Sequence, residues 1–450
     1  MSASGRERPQ FDRPLTSVEI CAGAGGQAVG LHNAGFDHLA LVEWDAHAVE
    51  TLRANVGGWP GWSEERAGDL RSMDVREFLK PGGIENPGIE KEKLHLLAGG
   101  VPCPPFSLAG KRLGKDDERD LFPDALRIID ELMPEAVMIE NVRGILEPPE
   151  VFIDYRRDIL GELRDLGYAV PEIKKSWSAE QQDRVMRKVW RRIDASNFGV
   201  PQLRPRAILV VIRQDVLSES EVEFVWPSKI KGKQATVVDE LAVSMEERCR
   251  KYWTKNKHGE RAKPGERTGK DVYQDWLEKA SKAAVQGRGV APTLVGGSKK
   301  HGGADLGPTR AKRAWEALGV DGMGIANDPE KCDPERDIFR PAGPMLTVEQ
   351  AAIIQGFPVG WKFQGKKTAQ YRQVGNAFPP PVAEAVGRAI AAVLRPECRD
   401  ELLRDYESGA GDSAVELPQQ EQMSLPVSVG PRLDATPTVH RRSDLLRTGA

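Results

Sequence analysis

The first half of the chain alternates short apolar runs with amphipathic stretches. Apolar runs rich in valine, isoleucine and leucine predict strands buried on both faces, and the amphipathic stretches predict the helices that cover them. This alternation predicts an α/β protein built on a Rossmann-like parallel sheet. The predicted strands are Ser17–Cys21, Leu39–Glu43, Leu94–Ala98, Ala136–Glu140 and Ala207–Ile212. The predicted helices are Ala28–Ala34, Ala46–Asn55, Asp124–Leu132 and Arg157–Leu166.

The pattern changes near residue 215, where the alternation of strands and helices is lost. Residues 228–272 are rich in lysine, and residues 286–310 are rich in glycine and basic side chains. We therefore predict a second, smaller and irregular domain after the first. Helical periodicity returns at Val348–Gln355 and Val382–Leu394, which predicts that the chain re-enters the first domain.

These changes of pattern predict how the chain is divided. The predicted segments are a flexible N-terminal arm (1–14), a first domain (15–214) that residues 370–396 complete, a second domain (215–340), a connection (341–369) and a disordered tail (397–450). The tail is assigned as disordered because it contains few large apolar side chains.

Composition excludes several classes of protein. The five cysteines lie far apart, and no Cys/His cluster has the spacing of a zinc site, so we predict no bound metal. No apolar run is long enough to span a bilayer, and an odd cysteine count without a signal peptide predicts a reducing, cytoplasmic setting. The formal net charge of −3 neither favours nor excludes nucleic acid, because a nucleic-acid enzyme needs only a basic face.

A glycine-rich turn follows the first predicted strand, with the sequence Glu19-Ile-Cys-Ala-Gly23-Ala-Gly25-Gly26. Glycines allow a tight turn and a close approach of the backbone to a ligand. The pair Glu43-Trp44 ends the next strand, where a carboxylate can hydrogen-bond ribose hydroxyls. The spacing fits a dinucleotide as well as an adenosyl cofactor, and a plain tight turn is the structural alternative.

One cysteine, Cys103, lies among prolines directly after a predicted strand. The prolines restrict the backbone and hold the sulfur at the carboxyl end of the sheet, where open α/β sheets bind ligands. So rigid and glycine-flanked a turn favours a nucleophile over a buried structural cysteine. The charged residues Lys111–Arg119 that follow predict a loop that closes over a substrate.

Glu140 ends a later strand and is expected beside Cys103, because the carboxyl ends of neighbouring parallel strands meet at one edge of the sheet. Partial burial there would raise the pKa of Glu140 and allow it to donate a proton, whereas a solvated strand-end glutamate is the alternative. Arg204 and Arg206 lie two residues apart on an extended segment, so both guanidinium groups are expected to point the same way. They suit a carbonyl oxygen or an anion, unless each forms only a surface salt bridge.

The last motif is Gln373-Val-Gly375-Asn376-Ala377, which precedes three prolines and a helix. By itself it is only a turn. Taken together and in this order, however, the motifs resemble those of the DNA cytosine-5 methyltransferase family over about residues 15–395. The resemblance implies a Rossmann-like, S-adenosylmethionine-dependent methyltransferase domain, and it implies that residues 215–340 form a target-recognition domain.

The resemblance also implies a mechanism. Cys103 would attack carbon 6 of a cytosine that is flipped out of duplex DNA, while Glu140 holds and protonates the base at N3. Arg206, with Arg204 behind it, would steady the pyrimidine, and carbon 5 would receive the methyl group. This route calls for a lowered thiol pKa, for which Arg206 and backbone N–H groups are the expected causes.

The implied cofactor contacts surround the glycine-rich turn and the cysteine loop. They are Cys21, Gly23, Gly25, Gly26, Glu43, Trp44, Asp69, Pro102 and Asn376. The expected DNA contacts lie in the loop after the cysteine and in the second domain. They are Ser107, Lys111, Arg112, Lys255, Lys257, Arg261, Thr293, Leu294, Lys299, Lys300 and Arg310. The segment 178–194 is longer than the resemblance leads us to expect, and we predict a solvated basic helix or an additional DNA-backbone contact there.

Three other functions stay open at this point. A tRNA cytosine-5 methyltransferase of the same family would share the motifs, although the sizeable second domain favours duplex DNA. A catalytically silent DNA-binding homologue would not need Cys103, Glu140 and Arg206, and a nicotinamide oxidoreductase would explain only the glycine-rich turn. We therefore expect a bacterial modification enzyme that acts as a monomer on double-stranded DNA, is associated with the nucleoid and belongs to a restriction-modification system with a cognate endonuclease.

Overall fold

Seven strands form one mixed sheet in the order β3-β2-β1-β4-β5-β7-β6 in the part of the chain that the structure describes. This computed structural model describes residues 6–59, 62, 70–80, 89–103, 120–296 and 304–409. The strands of the sheet are β1 (Leu15–Ile20), β2 (Phe36–Glu43), β3 (Leu70–Ser72), β4 (Leu96–Gly100), β5 (Ala136–Val142), β6 (Trp190–Asp194) and β7 (Pro205–Ile212). Neighbours among β1 to β5 are parallel, whereas β7 runs antiparallel to both β5 and β6.

The α/β, Rossmann-like fold predicted from the hydrophobic pattern is confirmed, and each predicted strand lies within three residues of its predicted ends. One part of the prediction is wrong. The strand predicted at Ala207–Ile212 is not parallel to the others, because the chain enters it from the edge strand β6. The sequence of β6, Trp190-Arg-Arg-Ile-Asp, carries two arginines and therefore lacks the apolar run of a strand buried on both faces.

Helices connect and cover the strands. They are α1 (Gly26–Asn33), α2 (Ala46–Val56), α3 (Phe122–Leu132), α4 (Pro149–Asp165), α5 (Ala179–Met186), α6 (Gln214–Ser220), α7 (Val237–Arg250), α8 (Gly269–Val285), α9 (Thr309–Ala317), α10 (Pro334–Asp337), α11 (Val348–Gln355), α12 (Lys367–Asn376), α13 (Pro380–Leu394) and α14 (Arg399–Leu403). The helices predicted from residues 348 and 382 are both present, and the predicted Arg157–Leu166 is the second half of α4.

Both faces of the sheet are covered by helices. One face packs against α3 and α4 through residues such as Ile128 and Leu160, and the other packs against α1 and α13. The contact between α1 and α13 is close, because a Cβ atom at Gly30 would lie 2.4 Å from the backbone oxygen of Pro380. Every residue of α13 is buried. Among the described residues, no helix is both long and apolar enough to cross a membrane.

The predictions for the two ends of the chain are wrong for the residues that the structure describes. In the N-terminal arm, Arg6 forms an ion pair with Glu384 at 2.9 Å, and the ring of Phe11 packs against Gly35. In the predicted tail, α14 buries Leu402, and β9 (Tyr406–Ser408) pairs with β8 (Pro227–Ile230). A few apolar side chains were therefore enough to anchor both segments. Residues 1–5 and 410–450 lie outside the described residues.

Residues 215–340 are more regular than the irregular domain that the sequence predicted. They contain α7, α8 and α9, and both α7 and α8 begin with a capping box, at Thr236 and Thr268. Their apolar faces share a core with α11 and α12 through residues such as Trp276 and Tyr371. The described residues thus belong to one compact unit, and a separate target-recognition domain within it stays a prediction.

The segment 178–194 is not simply a solvated basic helix, because it also supplies the edge strand of the sheet. It forms α5 and then β6, and it buries Met186 and Trp190 completely. Two of its charged residues pair with each other, since Arg187 contacts Asp183 at 3.0 Å. The basic composition therefore coexists with a buried apolar stripe, which composition alone does not reveal.

Candidate active site

A cavity of about 980 Å³ opens at the carboxyl ends of β1, β2, β4 and β5. This position is the point where the strand order reverses, between β1 and β4, and open α/β sheets bind ligands there. The turn after β1, the end of β2, the segment after β4, the start of α3 and the inner face of α12 supply its wall. Most of the motifs that the sequence analysis selected thus meet at one place.

The glycine-rich turn forms one wall of the cavity. Cys21, Gly23 and Gly25 have φ angles of 52°, 56° and 88°, a left-handed conformation that favours glycine. Gly26 must be small for a different reason, because a Cβ atom there would lie 2.2 Å from the backbone oxygen of Phe378. Gly25 packs against apolar side chains and does not line the cavity, so we no longer assign it a ligand contact.

Glu43 holds this turn in place from the end of β2. Its carboxylate accepts hydrogen bonds from the backbone N–H groups of Gly23 (2.7 Å), Trp44 (2.9 Å) and Asp45 (2.8 Å). Burial raises the pKa of Glu43, although these three donors oppose the shift. The neighbouring Trp44 lines the cavity with 76% of its surface exposed, so its indole is available to a ligand.

Cys103 lies three residues beyond β4, on the cavity wall, with Pro102 beside it. Its thiol donates a hydrogen bond to Oδ1 of Asn141 at 3.0 Å. The amide of Asn141 is itself fixed, because its Nδ2 donates to the backbone oxygen of Val101 at 2.8 Å. The side chain that follows Glu140 in the sequence therefore orients the sulfur.

The prediction that the thiol pKa is lowered is wrong for the protein without DNA. Burial raises the pKa of Cys103 to about 12, and the carboxyl groups of Asp120 and Glu140 add to the increase. Arg206, which was expected to stabilise the thiolate, is paired with Glu140. Without a ligand, the sulfur is therefore protonated near neutral pH.

We expect alkylation of Cys103 by iodoacetamide to accelerate about tenfold per pH unit from pH 7 to pH 10, because only the thiolate reacts. With a pKa of about 12, the thiolate fraction is small throughout this range and grows without reaching a plateau. Mass spectrometry of the Cys103 peptide at timed intervals measures the rate. Protein unfolded in denaturant is the control and should level off above about pH 8.5. A similar plateau in the folded protein would contradict the raised pKa.

Glu140 and Arg206 form an ion pair beside the cavity. Glu140 aligns with Gly100 of the parallel neighbour β4, and its carboxylate contacts Nε of Arg206 at 2.8 Å. Each side chain is only 12% exposed. Burial raises the pKa of Glu140, while the charges of Arg206 and Arg204 oppose the shift. Glu140 and Cys103 both line the cavity, as expected of neighbouring strand ends.

Neither Arg204 nor Arg206 lines the cavity. Arg206 contacts Glu140, which does, whereas Arg204 lies behind it, so the assignment of Arg204 as a catalytic group is revised. Its guanidinium donates to three backbone oxygens, those of Leu294 (2.7 Å), Gly375 (2.6 Å) and Ala377 (2.9 Å). The side chain is fully buried. Arg204 thus ties the strand that carries Arg206 to the segment before residue 296 and to the end of α12, and we regard it as a positioning residue.

Replacing Arg204 by methionine is expected to lower the free energy of unfolding by about 3–5 kcal/mol, because three buried carbonyl groups lose their donor. Denaturant titration followed by circular dichroism measures the change. Arg53→Met is the control, since Arg53 only pairs with Glu50 on the exposed face of α2 and should change stability by less than about 1 kcal/mol. Equal stability of the Arg204 and Arg53 variants would contradict this assignment.

Several cavity residues were not selected from the sequence. Glu19 on β1 and Gln27 on α1 are buried, and their side-chain polar atoms have no hydrogen-bond partner in the described part of the chain. Asp120 accepts hydrogen bonds from the hydroxyl of Tyr155 (2.6 Å) and from the backbone of the residue that begins α3. A polar residue just before a helix was the available signal for Asp120, whereas nothing local marks a buried glutamate within β1.

The cavity wall fits a ligand that carries an aromatic base, a ribose and further polar groups. The indole of Trp44 can stack on a base, and Glu43 ends β2, where ribose hydroxyls are bound in related folds. The unpartnered atoms of Glu19 and Gln27 supply buried polar groups for such a ligand. Asn376 also lines the cavity, at the end of α12. No cluster of three potential metal ligands occurs among the described residues.

The predicted DNA contacts fall into three groups: exposed cations, residues that are buried or already bonded, and residues outside the described part of the chain. Lys255, Lys257 and Arg261 are exposed on one turn of the region 215–340, and Arg310 is exposed on α9. Leu294, in contrast, is fully buried, and its backbone bonds Gln202 and Arg204, so this assignment is wrong. The hydroxyl of Thr293 is already bonded to a backbone oxygen. The remaining predicted residues Asp69, Ser107, Lys111, Arg112, Lys299 and Lys300, with the loop Lys111–Arg119, lie outside the described residues.

Comparison with known proteins agrees with the motifs. A family model described as C-5 cytosine-specific DNA methylase matches residues 15–392. The chain is 45% identical over 385 residues to the Type II methyltransferase M.NaeI of Lentzea aerocolonigenes, which covers 85% of this chain and 76% of the relative. It is 39% identical over 387 residues to M.NgoMIV of Neisseria gonorrhoeae, and this match covers 85% of this chain and 99% of the relative. It is 31% identical over 401 residues to M.Eco47II of Escherichia coli, and this match covers 84% of this chain and 79% of the relative.

Proposed function

The chain belongs to the C-5 cytosine-specific DNA methylase family, and on this basis we propose that it methylates carbon 5 of a flipped cytosine through a covalent Cys103 adduct. One observation supports the mechanism above all. Cys103 and Glu140 line the same cavity from the ends of two neighbouring parallel strands. A thiol and a carboxyl group can therefore act on a single pyrimidine ring.

The cytosine must leave the duplex, because a base within the stack cannot reach a thiol in a cavity. Flipping costs a few kcal/mol, which contacts to the DNA backbone and to the cavity wall offset. We propose that the exposed cations Lys255, Lys257, Arg261 and Arg310 contribute some of the backbone contacts. The recognition of a specific duplex sequence is assigned to the region 215–340.

Cys103 acts as the nucleophile. Its sulfur bonds to carbon 6 of the base and gives up its proton to water in the same step, since the thiol is protonated beforehand. Glu140 donates a hydrogen bond and then a proton to N3, which accepts the electrons displaced from the ring. The raised pKa of Glu140 favours the protonated form that this step needs. Arg206 orients the carboxyl group through its Nε, which lies 2.8 Å from a carboxyl oxygen of Glu140.

S-adenosylmethionine supplies the methyl group, as an electrophilic methyl attached to a positively charged sulfur. Trp44, Glu43, Gly23 and Asn376 would hold it, and the buried polar atoms of Glu19 are available to its polar groups. After transfer, the proton on carbon 5 leaves to water and the bond between Cys103 and carbon 6 breaks. The proton on N3 returns to Glu140, and the sulfur regains a proton from water. This sequence of steps returns the protein to its starting state.

We further propose that the protein is the modification enzyme of a Type II restriction-modification system, with a cognate endonuclease that reads the same sequence. The support is the similarity to Type II methyltransferases over most of their length. Bisulfite sequencing of DNA from cells that express the protein tests the base, the position and the target together. Cells that express Cys103→Ser are the control. Methylation found in tRNA and absent from DNA, or no methylation above the control, would contradict the proposal.

A further inference from the structure

One face of α12 forms part of the cavity wall. Ala369, Arg372, Gln373 and Asn376 all line the cavity, and their spacing of three and four residues places them on one side of the helix. Gln373 anchors this face, because its side chain bonds the hydroxyl of Thr51 at 2.6 Å and the backbone oxygen of Gln364 at 2.8 Å. The orientation of α12 is therefore fixed, and Arg372 is held at the cavity.

The charged side chains along the wall are mostly acidic. The acidic residues that line it are Glu19, Glu43, Asp45, Asp74, Asp120 and Glu140. The arginines that line it are Arg76 and Arg372. Arg76 is committed to an ion pair with Asp74 at 3.0 Å. Arg372 is half-buried and, in the part of the chain that the structure describes, forms neither a hydrogen bond nor an ion pair.

An anion would be repelled by such a wall unless a cation faced it. Burial of a carboxylate is costly without a charged or hydrogen-bonding partner, and the planar guanidinium group matches the two oxygens of a carboxylate. The methyl donor proposed above carries one carboxylate, on its amino-acid end. The acidic side chains on the wall cannot neutralise it, and Arg76 is already paired.

We propose that Arg372 binds the amino-acid carboxylate of the methyl donor and thereby distinguishes the intact donor from adenosyl compounds that lack this end. The inference rests on the proposed function, since it assumes the identity of the donor. A phosphate of the DNA backbone offers a similar charge. The donor is favoured because Arg372 shares its helix face with Asn376, inside the cavity that also holds Trp44 and Glu43.

Binding to the full-length protein without DNA tests this assignment. Isothermal titration calorimetry is carried out with S-adenosylhomocysteine, which keeps the carboxylate, and with 5′-methylthioadenosine, which lacks the amino-acid end. Arg372→Gln is expected to weaken binding of S-adenosylhomocysteine about 10- to 100-fold and to leave 5′-methylthioadenosine unchanged within about twofold. Arg372→Lys keeps the charge and should recover part of the loss. Arg76→Gln is the matched control and should not discriminate between the two compounds.

The possible outcomes separate the explanations. If Arg372→Gln weakened the binding of both compounds equally, Arg372 would only shape the cavity wall, and the inference would be overturned. If Arg372→Gln left the binding of both compounds unchanged but lowered the affinity for DNA and made that affinity less dependent on salt, Arg372 would contact a DNA phosphate. That result would also overturn the inference. If neither 5′-methylthioadenosine nor S-adenosylhomocysteine bound measurably to the wild-type protein, the proposed function itself would fail.

Discussion

Replacing Cys103 by serine is expected to reduce methyl transfer at least about a thousandfold, to the background of the assay. A serine hydroxyl has nearly the same size and can still donate to Asn141, so the fold and the DNA affinity should be preserved. Its oxygen is a far weaker nucleophile toward carbon 6. Transfer of a labelled methyl group to DNA measures turnover, and a DNA-binding assay measures affinity separately.

The same variant gives a direct test of the covalent step. Wild-type protein incubated with donor and DNA that contains 5-fluorocytosine should form an adduct that survives denaturation, because fluorine cannot leave carbon 5 as the proton does. Cys103→Ser should form none. Cys398→Ser is the matched control, since Cys398 lies outside the cavity and should retain both turnover and the adduct. Wild-type turnover in Cys103→Ser would show that another group is the nucleophile.

Replacing Glu140 by glutamine is expected to lower kcat by about 100- to 10,000-fold, which is the usual contribution of general acid catalysis. The amide can still hydrogen-bond N3, but it has no acidic proton to give, and it leaves the buried Arg206 without its counter-charge. The pH profile provides a second readout. Activity of the wild-type protein should fall at high pH as Glu140 loses its proton, and this limb should be absent from Glu140→Gln.

Glu135→Gln is the control for this prediction, because Glu135 lies just before β5, at the opposite end of the strand from Glu140. Burial raises the pKa of Glu135 as well, so the two carboxyl groups are similar in environment but not in position. The control should keep its turnover and its pH profile. Undiminished kcat in Glu140→Gln would remove the proton donor from the mechanism.

Much of the fold was predictable because each strand buried in a parallel sheet is visible in the sequence as a short run of apolar residues. The run Ala136–Ile139 has no polar residue, and the turn after β1 contains the glycines that its backbone angles require. Both signals depend on neighbours in the sequence. The ends of the chain were predicted poorly for the converse reason. Phe11 and Leu402 are isolated apolar residues that become buried only when a distant part of the chain covers them.

The candidate site was likewise predictable only in part. Cys103 and Glu140 were selected from the sequence, because each ends a strand pattern and parallel strand ends converge. The functions of the two arginines were not predictable. Arg204 and Arg206 differ by two positions, yet one bonds three backbone oxygens and the other pairs with Glu140. The partners come from residues more than 60 positions away.

The sequence by itself thus predicted the family, most of the sheet and the groups that we propose to react, because these follow from residue types at short spacing. Only the tertiary structure decided the state of those groups. The pKa of the Cys103 thiol is raised because the thiol is buried and lies near two carboxyl groups. Arg372 faces the cavity because the neighbouring Gln373 is bonded to Thr51 on another helix. Burial and charge depend on residues that are distant in sequence, and only folding brings them together.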